Sequence, residues 1–230
     1  MKLLLLPGLD GTGVLFADLL ASLPADLRAS PVSYPASLNN FDGYVQYARD
    51  AIRDADENTI LAAESFSGPI AIEILRKPPA NLRAVVLVVT FAQTPSPMLL
   101  AFAKRLPAIL MRAFSGLVLD CLCLNGGARK KTAWRIREVV QLVPPALIKA
   151  RLNILLSLPA DLPAVLERSE LPVLFIRPGH DRLVSKKYFE QIERILPAAS
   201  VVTVAGPHFL PQCCPQECAD VMLEFIRCPV

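Results

Sequence analysis

Ser65 lies where a serine hydroxyl could act as a nucleophile. It follows a run of small and apolar residues typical of a buried strand, 59–63, and precedes a helical pattern that begins at Pro69. A serine at such a sharp strand-to-helix turn is held in strained backbone geometry with its hydroxyl exposed, and the residues two before and two after it must be small. Ala63 and Ser67 meet this requirement. The pattern predicts Ser65 as the nucleophile of an acyl-transfer reaction, with a helix-capping serine as the alternative.

Ser67 fits the same position badly. Its neighbours at the two spacings are Ser65 and Pro69, and bulky Ile70 comes next. The local pattern is A-x-S-x-S rather than G-x-S-x-G, so the prediction for Ser65 depends on residue size and context.

A serine nucleophile needs a base, and the chain has only two histidines. His208 lies in a Gly-Pro turn between the last predicted strand and the last predicted helix, and His180 follows the preceding strand. The base also needs a carboxylate that fixes its tautomer. Asp181 is adjacent to His180, and side chains of adjacent residues point apart, so Asp181 is predicted to pair with His208. His180 is interpreted as a solvated loop residue.

The oxyanion of such a reaction needs two backbone donors. One is expected from the residue after the nucleophile, Phe66, and the other from the glycine-rich loop 7–13, where Leu9 is the natural donor. The same loop could be a phosphate-binding loop, but its glycines miss the G-x-G-x-x-G spacing and no Gly-Lys-Ser/Thr follows. No nucleotide site and no nucleic-acid partner are therefore expected.

Four segments, L-L-P-G-L-D-G-T-G, A-E-S-F-S-G-P, R-P-G-H-D-R-L-V and G-P-H-F, resemble in order the signature loops of α/β hydrolases, small bacterial carboxylesterases among them. The resemblance implies Ser65, Asp181 and His208 as nucleophile, acid and base, with Leu9 and Phe66 as oxyanion donors. Pro7 replaces the common histidine of the first loop. The resemblance begins at the strand before that loop, so the first two strands of larger members are expected to be absent.

Short apolar runs alternate with amphipathic helical patterns over most of the chain. Continuously apolar runs are typical of strands buried on both faces of a parallel sheet. The predicted strands are 2–6, 29–33, 59–63, 83–89, 172–176 and 200–204, and the predicted helices are 14–23, 42–55, 69–75, 185–196 and 215–227. This alternation predicts a doubly wound, mainly parallel α/β sheet of about six strands, the α/β-hydrolase fold.

Between Ser96 and Glu170 only helical patterns occur. Such an insertion is typical of a cap over the crevice at the carboxyl ends of the strands. We therefore predict a core of residues 1–95 and 169–230 and a helical cap of residues 96–168. From Ser96 to Pro159 ten basic residues face two acidic ones, a net charge of +8 in a chain whose total is +3. This cap could attract an acidic partner or could be an ordinary solvated face.

Composition excludes several other classes of protein. Hydrophobic residues make up 53% of the 230 and mean hydropathy is +0.42, yet no apolar stretch free of Pro or Gly reaches 18 residues. No membrane span is therefore expected, and no signal peptide is recognised, which predicts a protein of the cytoplasm. Six cysteines without CxxC spacing and two histidines predict free thiols rather than disulfides or a metal site. No cofactor is expected.

Three functions are compatible with these residues. The first is a carboxylesterase that acts on a small-molecule ester. The second is a thioesterase or methyl-ester esterase on acyl groups bound to an acidic carrier, which the basic cap would dock. The third is a catalytically silent hydrolase fold that binds a ligand, which an intact triad pattern disfavours.

Overall fold

Six strands form one sheet in the computed structural model, which describes residues 1–55, 57–105 and 130–227. They lie in the order β2-β1-β3-β4-β5-β6, and all neighbouring pairs are parallel. The strands are β1 (Lys2–Leu6), β2 (Arg28–Pro31), β3 (Thr59–Glu64), β4 (Leu82–Val88), β5 (Val173–Pro178) and β6 (Val201–Val204). The predicted parallel sheet is confirmed, and each strand lies within two residues of its predicted bounds.

Helices connect the strands and cover both faces of the sheet. Two 3₁₀ turns, Val14–Phe16 and Ser65–Ser67, directly precede α1 and α3. The helices are α1 (Ala17–Ser22), α2 (Phe41–Arg53), α3 (Gly68–Leu75), α4 (Pro97–Arg105), α5 (Lys130–Leu142), α6 (Pro145–Leu156), α7 (Leu162–Glu167), α8 (Lys186–Ile195), α9 (Leu210–Cys213) and α10 (Pro215–Arg227).

The apolar runs of the strands fill two core layers. Leu3 and Leu5 of β1 point into the layer under α1 and α10, whereas Leu4 and Leu6 point into the layer under α2, α3 and α8. All four leucines are buried. Burying a leucine side chain contributes about 1.5–3 kcal/mol, so a strand with leucine on both faces is stable only between two helical layers.

The strand order creates a switch point between β1 and β3. After β1 the chain adds β2 on one side, and then crosses to add β3 on the other side. The carboxyl ends of the two strands therefore lie side by side, with Leu6 opposite Ala63. In open α/β sheets this crevice is the place where ligands bind. The glycine-rich loop 7–13 starts at the end of β1, and Ser65 directly follows the end of β3, so both lie at this crevice.

The described residues between β4 and β5 form helices α4 to α7. Ala103 of α4 packs against Ile148 and Leu152 of α6. Residues 106–129, including part of the predicted cap and of its basic residues, lie outside the described residues, so the boundary of a cap at 96–168 stays a prediction. In the described part of the chain no single helix is long and apolar enough to cross a membrane; α5 and α6 qualify only as a pair bent by 94°.

The described cysteines Cys213, Cys214 and Cys218 are free thiols. Cys121, Cys123 and Cys228 lie outside the described residues. Burial raises the pKa of the Cys213 thiol to about 12, so this sulfur is protonated at neutral pH.

Candidate active site

Ser65 begins the 3₁₀ turn that directly follows β3, and its φ is +47°. A non-glycine residue rarely adopts this left-handed backbone, so the surrounding contacts must hold it there. Thr90 Oγ1 donates a hydrogen bond of 2.6 Å to the Ser65 carbonyl. A Cβ on Gly68 would lie 1.8 Å from that same hydroxyl, so position 68 excludes every residue larger than glycine.

Ser67 is fully buried. Its hydroxyl donates to the carbonyl oxygen of Pro7, and the Tyr34 hydroxyl lies 2.7 Å from the same Oγ. Burial raises the pKa of Tyr34, so this phenol stays neutral and can donate to Ser67. The Ser67 hydroxyl therefore braces the glycine-rich loop against the turn at Ser65.

His208 lies between Ser65 and Asp181. Its Nε2 is 3.0 Å from Ser65 Oγ, and its Nδ1 is 2.6 Å from Asp181 Oδ2. The imidazole and the Asp181 side chain are almost completely buried, at 7% and 2% exposure. Asp181 Oδ1 accepts from the backbone N–H groups of Leu183 and Val184, at 2.7 and 2.9 Å.

The loops after β5 and β6 bring this pair together. The backbone N–H of Gly179 donates to Val204 O, and that of His180 donates to Gly206 O. The His180 side chain is exposed. The carboxylate and the imidazole thus come from neighbouring strand ends, as the sequence predicts.

Leu9 lies in the loop after β1 and Phe66 in the turn after β3, so the two predicted donors come from the two strand ends at the switch point. Leu9 is a central residue of a turn in which Gly11 N–H donates to Gly8 O over 3.1 Å, so the Leu9 N–H takes no part in the turn hydrogen bond. Phe66 is the second residue of the helical segment that starts at Ser65, where backbone N–H groups have no partner within the helix. Neither N–H group takes part in the hydrogen bonds of its own turn, and the role of both as oxyanion donors stays a prediction.

Among the described residues no group of three or more His, Cys, Asp or Glu side chains is placed to hold a metal ion.

No protein-family model and no curated protein matches the sequence. Solved structures do match. An esterase from Thermogutta terrifontis, solved with malate bound, has a TM-score of 0.84 at 17% identity, over 99% of this chain and 89% of that one. A bromoperoxidase from Bacillus anthracis has a TM-score of 0.83 at 16% identity, over 99% and 92% of the two chains. An enol-lactonase from Burkholderia xenovorans has a TM-score of 0.83 at 13% identity, over 98% and 91%.

The chain has the α/β-hydrolase fold. At these identities the likeness establishes the fold alone, and the reaction has to be argued from the side chains at the switch point.

The sequence patterns predict no role near the site for four residues of this fold: Thr90, Glu64, Gln212 and Arg151. Thr90 lies two residues after the end of β4 and is fully buried. A threonine directly after the predicted apolar strand 83–89 could have indicated a polar contact with the neighbouring turn at Ser65. Arg151 is one of the ten basic residues between Ser96 and Pro159, and both interpretations of that segment expect exposed charges. For Arg151 this expectation is wrong, because the residue is only 1% exposed. Arg135, a second member of that set, pairs with Asp18.

Glu64 and Gln212 lie buried behind Ser65. Gln212 Nε2 is 3.2 Å from both carboxyl oxygens of Glu64. Burial, with a smaller contribution from the nearby Asp10 charge, raises the pKa of Glu64 to about 8. The carboxyl group before the nucleophile is therefore mainly protonated at neutral pH, and it joins the turn at Ser65 to the helix after His208.

Proposed function

We propose that the protein is a serine hydrolase that cleaves carboxylic esters through Ser65, His208 and Asp181. The observation that carries the proposal is the continuous contact from Ser65 Oγ to His208 Nε2 (3.0 Å) and from His208 Nδ1 to Asp181 Oδ2 (2.6 Å). These are the distances over which a nucleophile, its base and the residue that orients the base exchange hydrogen bonds.

Asp181 sets the tautomer of the base. Its Oδ1 is occupied by two backbone N–H groups, which leaves Oδ2 to accept the proton on His208 Nδ1. The lone pair of Nε2 then faces the Ser65 hydroxyl. As Ser65 Oγ attacks the ester carbonyl, Nε2 takes the hydroxyl proton and Asp181 stabilises the imidazolium that forms.

The remaining steps follow from the same contacts. Leu9 N–H and Phe66 N–H hold the negative charge on the carbonyl oxygen in the tetrahedral intermediate. His208 returns the proton to the departing alcohol, which leaves an acyl group on Ser65. Water, activated by the same imidazole, attacks that acyl group and releases the acid. Every proton in this cycle is handled by His208, so no cofactor takes part.

The surroundings of Leu9 favour an apolar acyl group. Its side chain packs on the cluster of Ala103, Val143, Ile148 and Leu152, which is contributed by α4, by α6 and by the residue after α5. An apolar wall beside the oxyanion donors would bury the acyl chain of an ester, with a gain of about 0.8 kcal/mol for each CH₂ removed from water.

Ser65→Ala and Ser67→Ala are the variants that test this function. Ser65→Ala should lower the hydrolysis of a p-nitrophenyl ester by a factor on the order of 10⁴ or more. It should also abolish labelling by a fluorophosphonate. Ser67→Ala removes a hydroxyl two residues away that contacts Pro7 and Tyr34 rather than His208, so it serves as the comparison: it should still be labelled and should lose far less activity than Ser65→Ala. Labelling that persists in Ser65→Ala, or equal loss in both variants, would contradict the assignment.

A second candidate substrate is an acyl group carried by an acidic partner, as a thioester or a methyl ester. Lys130 and Lys131 support it, since they are exposed at the start of α5. Arg151 and Arg135 do not contribute free surface charge. If wild-type protein shows neither ester hydrolysis nor labelling of Ser65, the interpretation as a silent ligand-binding fold replaces both.

A further inference from the structure

A buried guanidinium joins α6 to the turn that carries Leu9. Arg151 Nη1 donates to the carbonyl oxygen of Leu9 at 2.8 Å and to that of Asp10 at 2.6 Å. Its Nε donates to the Tyr44 hydroxyl at 3.0 Å. Leu9 and Asp10 are the two central residues of the turn closed by the Gly8–Gly11 hydrogen bond. One side chain of α6 therefore holds the carbonyl groups of both central residues of this turn.

The charge of Arg151 is balanced by dipoles rather than by a carboxylate. None of the ion pairs between described residues includes Arg151. An unpaired buried cation is costly, and each hydrogen bond from a charged donor returns only about 1.5–3 kcal/mol. A buried cation of this kind contributes little net stability. Its presence is therefore better explained by the way it fixes the two carbonyl groups than by a contribution to the core.

Gly11 shows that the turn is built around the guanidinium. An added Cβ at Gly11 would lie 2.3 Å from Arg151 Nη2, and the φ of Gly11 is +69°. Both the space and the backbone conformation therefore require glycine. On the other side, Tyr44 is fully buried and packs edge-on against Phe66, with ring centroids 5.2 Å apart. The Arg151 side chain thus contacts the turn of one predicted oxyanion donor and, through Tyr44, the side chain of the other.

We propose that Arg151 is a positioning residue for the oxyanion hole. By fixing the carbonyls of Leu9 and Asp10 it restricts rotation of the adjoining peptide planes, and so it keeps the Leu9 N–H aimed at the oxygen that becomes negative. The inference rests on the proposed function. An oxyanion donor must lie at about 2.7–3.1 Å from the developing charge, and a displacement near 1 Å costs on the order of 100-fold in rate.

Arg151→Lys is the sharpest variant, because a lysine ammonium ends at the position of the guanidinium carbon, one bond short of Nη1. It keeps the charge and the proximity to Tyr44 but loses reach to the two carbonyls. Arg151→Met removes the donors and keeps an unbranched stem. Tyr44→Phe is the matched control, since it removes the partner of Nε, together with the longer hydrogen bond from the Tyr44 hydroxyl to Leu38 O, and leaves both carbonyl contacts in place.

The measurements are kcat and KM for a neutral p-nitrophenyl ester, expressed per site titrated with a fluorophosphonate. Both Arg151 variants should lose roughly 10²-fold in kcat, the effect of one misplaced oxyanion donor, with KM within about twofold of wild type. The low-field proton resonance of the His208–Asp181 hydrogen bond should persist in Arg151→Lys. Tyr44→Phe should keep wild-type kcat.

Wild-type kcat in Arg151→Lys, or an equal loss of kcat in Tyr44→Phe, would overturn the proposal. If Arg151→Met does not fold, Arg151→Lys decides alone. Failure of the proposed function would give a different result: the fluorophosphonate would not label Ser65 in the wild-type protein. The role of Arg151 would then be contradicted as well. A rise in KM with unchanged kcat would make Arg151 a determinant of substrate binding and would equally overturn the positioning role.

Discussion

Thr90 Oγ1 donates a hydrogen bond of 2.6 Å to the main-chain oxygen of Ser65. Thr90 follows β4 and Ser65 follows β3, so the bond joins the ends of two neighbouring strands. The bond fixes the carbonyl group of Ser65, whose φ of +47° lies in the left-handed region. The strained geometry of the proposed nucleophile is thus supported from the adjacent strand.

Thr90→Val should destabilise the protein and lower its activity. Valine has the shape of threonine without the hydroxyl, and Thr90 is fully buried, so the Ser65 carbonyl would lose this donor out of reach of water. We expect a loss of about 1–3 kcal/mol in the free energy of unfolding, measured by urea denaturation. Thr90→Ser keeps the donor and should retain most of the activity. If Thr90→Val is as stable and active as wild type, the bond does not support Ser65.

His208 and His180 can be separated by labelling. A phenylmethylsulfonyl-type reagent should modify Ser65 in wild type and in His180→Ala, because the His180 side chain is exposed. It should fail in His208→Ala, because Nε2 of His208 is the group 3.0 Å from Ser65 Oγ. The readout is the mass of the modified protein. An unreactive His180→Ala would mean that the base has been assigned to the wrong histidine.

The sheet was predictable because its strands are buried on both faces. Leu3 to Leu6 form an unbroken apolar run that only a two-sided core explains, and the same holds for Val85 to Val88. The positions of Ser65, Asp181 and His208 were predictable as well, because each follows a strand and parallel strands end at one edge.

Contacts between distant polar residues could not be predicted in the same way. Arg151 bonds to Leu9 across 142 positions and Gln212 to Glu64 across 148. Hydrophobic periodicity predicts which side of a helix is apolar. It does not predict which distant carbonyl group a long basic side chain will hydrogen-bond. Arg151 lies among other basic residues in the sequence, and this pattern predicts exposed charges, whether they bind an acidic partner or only face solvent.

Salt dependence tests whether an acidic partner is recognised. Exposed charges act over roughly 10 Å at 0.1 M salt, so raising the salt should lower kcat/KM for an acyl-carrier or acyl-CoA substrate and leave a neutral p-nitrophenyl ester nearly unchanged. Reversing Lys130 and Lys131 to glutamate should weaken only the anionic substrate. Arg129, the next basic residue, lies outside the described residues.

Lys77→Glu is the matched control for the charge reversal. Lys77 is exposed just beyond the end of α3, at the opposite edge of the sheet from Ser65. It should leave both substrates unaffected. If kcat/KM is independent of salt for both substrates, recognition of an acidic partner is contradicted and the simple carboxylesterase is the remaining proposal.

Glu64 makes stability depend on pH. Its pKa is raised from 4.5 in the unfolded chain to about 8 in the folded protein, mainly because burial disfavours the carboxylate. Between these two values the unfolded chain has released the proton and the folded protein has not. The free energy of unfolding should therefore fall by about 1.4 kcal/mol for each pH unit between pH 4.5 and 8, and this contribution should level off outside that window.

Glu64 and the Gln212 amide can exchange a hydrogen bond in either direction, depending on whether Glu64 is protonated. Gln212 Nε2 donates to Glu64, whereas Gln212 Oε1 is buried without a partner among the described residues. A protonated carboxyl group can donate to an amide oxygen, and a carboxylate cannot. Rotation of the Gln212 amide would let a protonated Glu64 donate to Oε1.

Glu64→Gln should therefore be close to wild type in stability near pH 4.5 and more stable than wild type at pH 9. The amide has nearly the size of the protonated acid, but it has no proton to lose, so the variant escapes the cost of a buried charge beside Asp10. Urea unfolding at pH 4.5, 6, 7.5 and 9 gives the difference, which should grow through the window and then stay constant. Glu170→Gln, at an exposed position, provides the control and should show no such growth. A difference for Glu64→Gln that is the same at all four pH values would mean that Glu64 ionises in the folded protein as it does in the unfolded chain.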